Sequence, residues 1–396
     1  MSKRGISTTV IAIVAIVILV IAAVGVYYLF FQPPTTPSGT IKIGLIGPLT
    51  GEEAWIGYDG LDGAMLAVEE INAAGGVNGR ELEIVYYDDG GSPEQAVSMA
   101  RKLIDEDHVV AGILDHGSDL AMAASGVFEE AKVPALVPWA GHPDIVKGNY
   151  TFRVGLSATA PGNAMSYYAY STLGKRKLAV VCTVDAYEES YAGAMKAGFV
   201  KLGGEVVYDK LVEWGEKEYT SMLTELKATG ADVILGPHDF SMSIPFTNQA
   251  RGLGITAPIF YGSSSSVQEY IDGVGQAGES GGGIYVLFYM QLDDPVTAAY
   301  TARYQARYGK AAGPTASYTS YDCVKIIAQV VGQVGDDHAA LTTGIKGLTN
   351  FVGVGGTITK FDRGEDVKPV PIYTIQSGAF TLAKLVTEPQ YISPCV

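Results

Sequence analysis

The chain has 396 residues, 47% of them hydrophobic and 17% charged, with a formal net charge of −15 at neutral pH. That length exceeds one ordinary hydrophobic core and predicts two lobes, while the composition excludes a disordered chain. The acidic balance, with no basic patch, argues against nucleic-acid binding, and three cysteines (Cys182, Cys323, Cys395) without C-x-x-C spacing carry no zinc or dithiol redox motif.

Residues 6–31 form an apolar run preceded by Lys3 and Arg4. Its uncharged core of about 22 residues would span roughly 33 Å as a helix, enough for a bilayer. The positive charges before it place residues 1–5 in the cytoplasm and the body outside, anchored at the cell membrane. A cleavable secretory signal fits the same run, and under either reading the body is exported. Residues 32–39 (QPPTTPSG) read as an extended Pro/Thr linker. One disulfide is compatible with an exported body, with the pair left open.

From residue 41 strands alternate with helices. Apolar runs predict strands over 41–47, 82–87, 178–183, 232–236, 258–262 and 283–290, with a closing strand over 369–375. Helical periodicity covers about 60–74, 93–105, 162–173, 191–202, 219–229, 295–308 and 317–334. Two successive blocks of alternation predict two doubly wound parallel sheets. Residues 112–145 read as one strand–helix–strand unit, whose right-handed crossover leaves both strand ends at one sheet edge. Ligands bind at such edges.

The loops at that edge supply the candidate site. Ser118 and Asp119 open the helix of the unit, where free N–H groups and the positive dipole end suit an anion. Trp139 follows the next strand, where an exposed indole has little structural purpose. Trp55 and Tyr58 fall in the loop after the first strand, Tyr187 and Tyr191 after the first strand of the second block, and Asp239 and Phe240 after the strand at 232–236. Capping by Ser118, dipole pairing by Asp119 and simple packing by the aromatics are the ordinary alternatives. His116, His142 and His238 also fall on edge loops, near Asp115 and Asp239, but their spacing matches no metal-ligand motif, so no metal and no cofactor is expected. There is no H-E-x-x-H, P-loop or G-x-S-x-G, and no histidine accompanies Ser263–Ser266 in sequence, so the chain does not read as an enzyme.

IKIGLIGPLTG followed by GLDGAMLAVEEINAAGGVNGRELEIVYYDD resembles the first lobe of the extracellular solute-binding proteins of branched-chain amino acid ABC transporters. The turn Gly75–Arg80, Asp88-Asp89, Pro93, Val133–Ala140, Pro143, Phe152-Arg153, Tyr187, Gln249–Ile255 and Ser320–Asp322 extend the resemblance to residue 375. It implies a type I periplasmic-binding fold of two lobes joined by three crossovers, near 153–157, 285–290 and 350–356. The lobes would comprise 40–155 with 288–352, and 156–287 with 353–396. The resemblance further implies a ligand carboxylate at Ser118, a P-x-A-T loop at Pro138–Gly141 (Trp139, Ala140, and Gly141 in place of Thr), and closure by Tyr187. The ammonium-binding Glu would fall on Ser264, leaving Asp119 or Asp239 as the available counter-charge. The function implied is a monomeric receptor that delivers a branched-chain amino acid, or a related carboxylate or amide, to a membrane permease. The alternative is an anchored ligand-sensing ectodomain of the same fold.

Overall fold

The structure, a computed structural model, describes residues 15–22, 27, 39–51, 53–313 and 315–392. Residues 15–22 are helical and exposed. Among the described residues no helix is long and apolar enough to cross a membrane. The rest of the apolar run, nearly all of the linker and Cys395 lie outside them.

The first lobe is built on a parallel five-stranded sheet. Its strand order is β2 (Leu82–Asp88), β1 (Ile41–Gly47), β3 (Ala111–Leu114), β4 (Ala135–Val137) and β5 (Thr151–Arg153), with β3 at the centre. The inner strands are covered on both faces, which is why they read as continuous apolar runs rather than alternating ones. One core cluster packs Phe128, Leu103 and Val137 on one side. The cluster on the other side continues into the second lobe.

The second lobe carries the parallel strands β6 (Lys177–Thr183), β7 (Glu205–Val212), β8 (Val233–Leu235), β9 (Ile259–Tyr261) and β10 (Ile284–Leu287). Between residues 349 and 367 the chain forms a small antiparallel sheet, β11 (Thr349–Gly353), β12 (Gly356–Asp362) and β13 (Glu365–Val367). Two further strands, β14 (Val370–Gln376) and β15 (Ala379–Val386), then join the second lobe antiparallel at its β10 edge. The second sheet is therefore mixed rather than wholly parallel.

The small sheet belongs to the first lobe. The Arg153 backbone N–H donates to Gly364 O at 2.7 Å, and the buried Arg153 guanidinium pairs with Glu365 through Nε–Oε2 at 2.6 Å. Asp322 accepts from the N–H groups of Val354 and Gly355, both at 2.8 Å. The third passage between lobes consequently lies at 368–369 and not at 350–356. The glycine-rich stretch there closes a hairpin between Gly353 and Gly356, with Gly356 at φ +104°. The other passages follow β5, leading to the helix Thr159–Tyr167, and β10, leading to the helix Pro295–Tyr308. Lys368, 2% exposed, donates from Nζ to Val154 O at 2.9 Å and pairs with Asp366 at 3.3 Å. Cys182 in β6 and Cys323 in the helix Ala316–Val334 are separately buried and unpaired.

Two helices that carry candidate site residues begin five or six residues earlier than periodicity predicts. The first runs Ala54–Ala73, so Trp55 and Tyr58 sit in its opening turns rather than in a loop. The other runs Ala186–Lys201, capped by Asp185, which accepts from Glu188 N at 2.8 Å. Tyr187 thus projects from a helix end.

Candidate ligand-binding cleft

Where the carboxyl ends of the two sheets face each other they enclose a cavity of about 210 Å³. An engineered cavity of roughly 150 Å³ holds benzene, so this one accommodates a molecule of amino-acid size. Ser118, Asp119, Trp139, Ala140, Gly141, Tyr187, Ser264 and Trp55 all line it. Asp239 does not. It caps the helix Phe240–Gly252, accepting from Ser241 N at 2.8 Å, and is committed to that turn.

The helix Ser118–Ala131 begins at the cavity with Gly117 as its N-cap and no side chain bonded to its first N–H groups. Ser118 is therefore not the cap but the first helical residue. Its Oγ accepts from His142 N at 3.3 Å, linking the loops after β3 and β4. The N–H groups of the first turn, left without a side-chain partner, face the cavity with the positive end of the helix dipole behind them.

Trp139 is fixed from behind. Its Nε1 donates to Asp115 Oδ1 at 2.7 Å, and its carbonyl accepts from Tyr289 Oη at 3.1 Å. Asp115 is fully buried, with Oδ2 against Gly60, where an added Cβ would sit 1.7 Å away. Burial pushes this carboxyl well above the usual range, while the indole donor and the neighbouring Asp59 act in opposite directions.

At Gly141 the two lobes come into contact. Its carbonyl accepts from Ala158 N at 2.7 Å, and a Cβ at this position would lie 2.4 Å from the Tyr187 ring. The ring occupies the space that a threonine side chain would fill. Tyr191 lies beneath it, stacked at 6.1 Å and buried in the core rather than facing ligand.

On the second lobe, Glu188 is buried and accepts from the backbone N–H groups of Thr183 and His238, tying the ends of β6 and β8 together. Burial, then the charge of Asp185, raises its carboxyl to about 8. His238 Nε2 lies 2.7 Å from Ser264 Oγ, so the fold brings a histidine to the serine run where sequence showed none. Burial lowers this imidazole to about 4, and no group among the described residues bonds to its Nδ1, which packs on Gly262. A neutral, unoriented imidazole is a weak base, and the pair serves as a hydrogen-bonding wall.

His116 pairs with buried Asp89 at 2.6 Å and His142 accepts from Asp144 N at 3.2 Å. Among the described residues no three His, Cys, Asp or Glu side chains converge as a metal site.

The chain matches a known family model, that of the periplasmic binding proteins, across residues 40–379. The chain belongs to the periplasmic binding protein family. It is similar to a Leu/Ile/Val-binding protein homolog of Brucella melitensis, 30% identical over 339 residues, which are 83% of this chain and 89% of the relative. An amino acid binding protein of Pseudomonas aeruginosa is 34% identical over 220 residues, 55% of this chain, and the chain spans 59% of that relative's length. Among solved structures, a leucine binding protein of Thermotoga maritima matches with a TM-score of 0.78 at 25% identity, covering 89% of this chain and 100% of that one. The branched-chain amino acid transporter substrate binding protein of Streptococcus pneumoniae, in complex with isoleucine, gives 0.77 at 26% identity, over 88% of this chain and 99% of that one.

Several cleft residues of this binding protein escape sequence reading. Trp214, in the loop after β7, lines the cavity although it lies in a charged turn. Tyr289 lines it from the second passage. Asp185 faces Asp119, which lies on the other lobe. Burial and, to a lesser degree, that opposing charge raise the Asp185 carboxyl to about 6. The D-x-x-E pattern of Asp185 and Glu188 is a readable capping signal that would have found this helix end.

Proposed function

We propose that this periplasmic binding protein is the extracellular solute receptor of an ABC importer, taking an amino acid or related small carboxylate and presenting it to the permease. The observation that carries the reading is the N-terminus of the helix Ser118–Ala131, which has no side-chain cap and opens with Ser118 onto a ligand-sized cavity lined from the other lobe by Tyr187. A carboxylate seated there is held by backbone N–H groups and the Ser118 hydroxyl, and contacts from the second lobe then favour the closed form. Relatives named for leucine, isoleucine and valine support the substrate class. The apolar run at 6–31 supports export of the body, by anchor or by signal.

A thermal-shift screen with amino acids and small carboxylates tests the reading. A ligand at 100 times its dissociation constant stabilises by about 2.7 kcal/mol. Ser118→Ala should weaken the best ligand by about 1–3 kcal/mol by calorimetry. Undiminished affinity in that variant refutes the carboxylate site.

A further inference from the structure

The chain contains three tryptophans, and all three, Trp55, Trp139 and Trp214, line this one cavity. Trp55 and Trp214 are 48% and 57% exposed at this cavity, which leaves indole surface free to pack on a ligand. They stand on opposite lobes, one in the helix after β1 and the other in the loop after β7, so closure brings them towards a shared occupant. Phenol rings from Tyr187 and Tyr289 add to the wall.

The charges of the lining have one sign. Glu53, Asp119 and Asp185 contribute carboxylates, and no lysine or arginine lines the cavity among the described residues. Asp119 and Asp185 oppose each other across the cleft closely enough that the first raises the second. Bringing two carboxylates together around an anion is unfavourable, and a cation between them removes the repulsion.

Aromatic faces with nearby carboxylates are the environment of an organic cation. The cation is of a particular kind. A primary ammonium needs three directed acceptors, whereas here Asp185 Oδ1 is engaged by its own helix, Ser264 is bonded to His238 and Asp239 is not among the lining residues, which leaves Asp119 and the second oxygen of Asp185 as the carboxylate acceptors. Ring faces offer a diffuse negative surface without directed lone pairs, which suits an alkylated head that has few or no N–H donors.

We propose that the ligand is a small betaine-type zwitterion, its carboxylate at the mouth of the helix Ser118–Ala131 and its alkylated or quaternary ammonium among Trp55, Trp139 and Trp214, opposite Asp119 and Asp185. The proposal rests on the receptor reading above and narrows its substrate class.

The test compares glycine betaine with 3,3-dimethylbutyrate, which has the same shape and carboxylate but carbon in place of the cationic nitrogen, and with leucine and isoleucine. Binding to the whole exported body is read by calorimetry and by tryptophan emission, which reports on this cavity alone. Glycine betaine should shift the emission and bind at least tenfold tighter than the other three. Trp214→Leu, at an exposed position that the fold does not need, should cost it at least tenfold. Equal or tighter binding of 3,3-dimethylbutyrate overturns the cation and leaves the carboxylate receptor standing. Tighter binding of leucine or isoleucine overturns the alkylated head and likewise leaves the receptor. Full betaine affinity in Trp214→Leu overturns the aromatic enclosure. No binding by any of the four overturns the inference, and failure of the wider amino acid and carboxylate screen would remove the receptor reading beneath it.

Discussion

Replacing Trp139 by Phe isolates one hydrogen bond at the base of the cleft. Phenylalanine keeps an aromatic wall but removes the Nε1–H that donates to Asp115 Oδ1 at 2.7 Å. Asp115 is fully buried, and among the described residues no hydrogen bond to Oδ2, pressed against Gly60, compensates. A buried acceptor stripped of its donor costs about 1–3 kcal/mol. The loss should depend on pH with a definite sign. Burial raises the Asp115 carboxyl, so the folded protein holds its proton more tightly than the unfolded chain, and stability from this site declines as pH rises. Without the indole donor the decline steepens, and Trp139→Phe should be most destabilising on the alkaline side. Urea unfolding followed by circular dichroism at several pH values measures it, as a lower midpoint at unchanged slope. The same substitution made beside Asp115→Asn should cost less than it does alone. A loss below about 0.5 kcal/mol at every pH, or full additivity with Asp115→Asn, refutes the claim that this bond braces the wall.

Gly141→Ala places a methyl group 2.4 Å from the Tyr187 ring, well inside van der Waals contact, and should weaken ligand binding by about 1–3 kcal/mol through hindered closure. In a Tyr187→Ala background the penalty should vanish in calorimetry, and a persistent penalty would move the obstruction elsewhere. Glu365→Ala leaves Arg153 buried without its carboxylate and should lower stability by about 3–5 kcal/mol in denaturant titration, a loss under 1 kcal/mol contradicting the pairing. Glu188, Asp322, Asp366 and Asp185 are raised to about 8, 7, 6 and 6, each by burial first, so the folded state outbinds the unfolded chain for protons across that range. The melting temperature should accordingly climb as pH is lowered from about 9 towards 6, and a flat or falling profile would refute the shifts.

The fold was legible where burial on both faces leaves an unbroken apolar run, as in Ile41–Gly47 and Lys177–Thr183, and where helical periodicity is clean, as in Pro93–Asp105. It was less legible at helix starts. Trp55 and Tyr58 look like loop aromatics because their turn precedes the apolar stripe and Glu53 makes no side-chain cap. The antiparallel sheet at 349–367 hid behind its glycines, which signal a crossover as readily as a hairpin. The site divides in the same way. Ser118 and Trp139 lie next to predicted strand ends and could be read locally. The contacts of Ser264 with His238 and of Gly141 with Tyr187 join residues 26 and 46 positions apart, and only the folded lobes create them.

Lys368 has a mechanical consequence. Its Nζ reaches across to Val154 O while its own backbone carries the chain from β13 to β14, so two of the three connections between the lobes are fastened at one buried point. The two connections are thus bonded to each other through one buried amine. The third is held at its start, where Tyr289 donates to the Trp139 carbonyl. An opening or closing of the cleft would therefore work against these contacts together rather than at one connection alone.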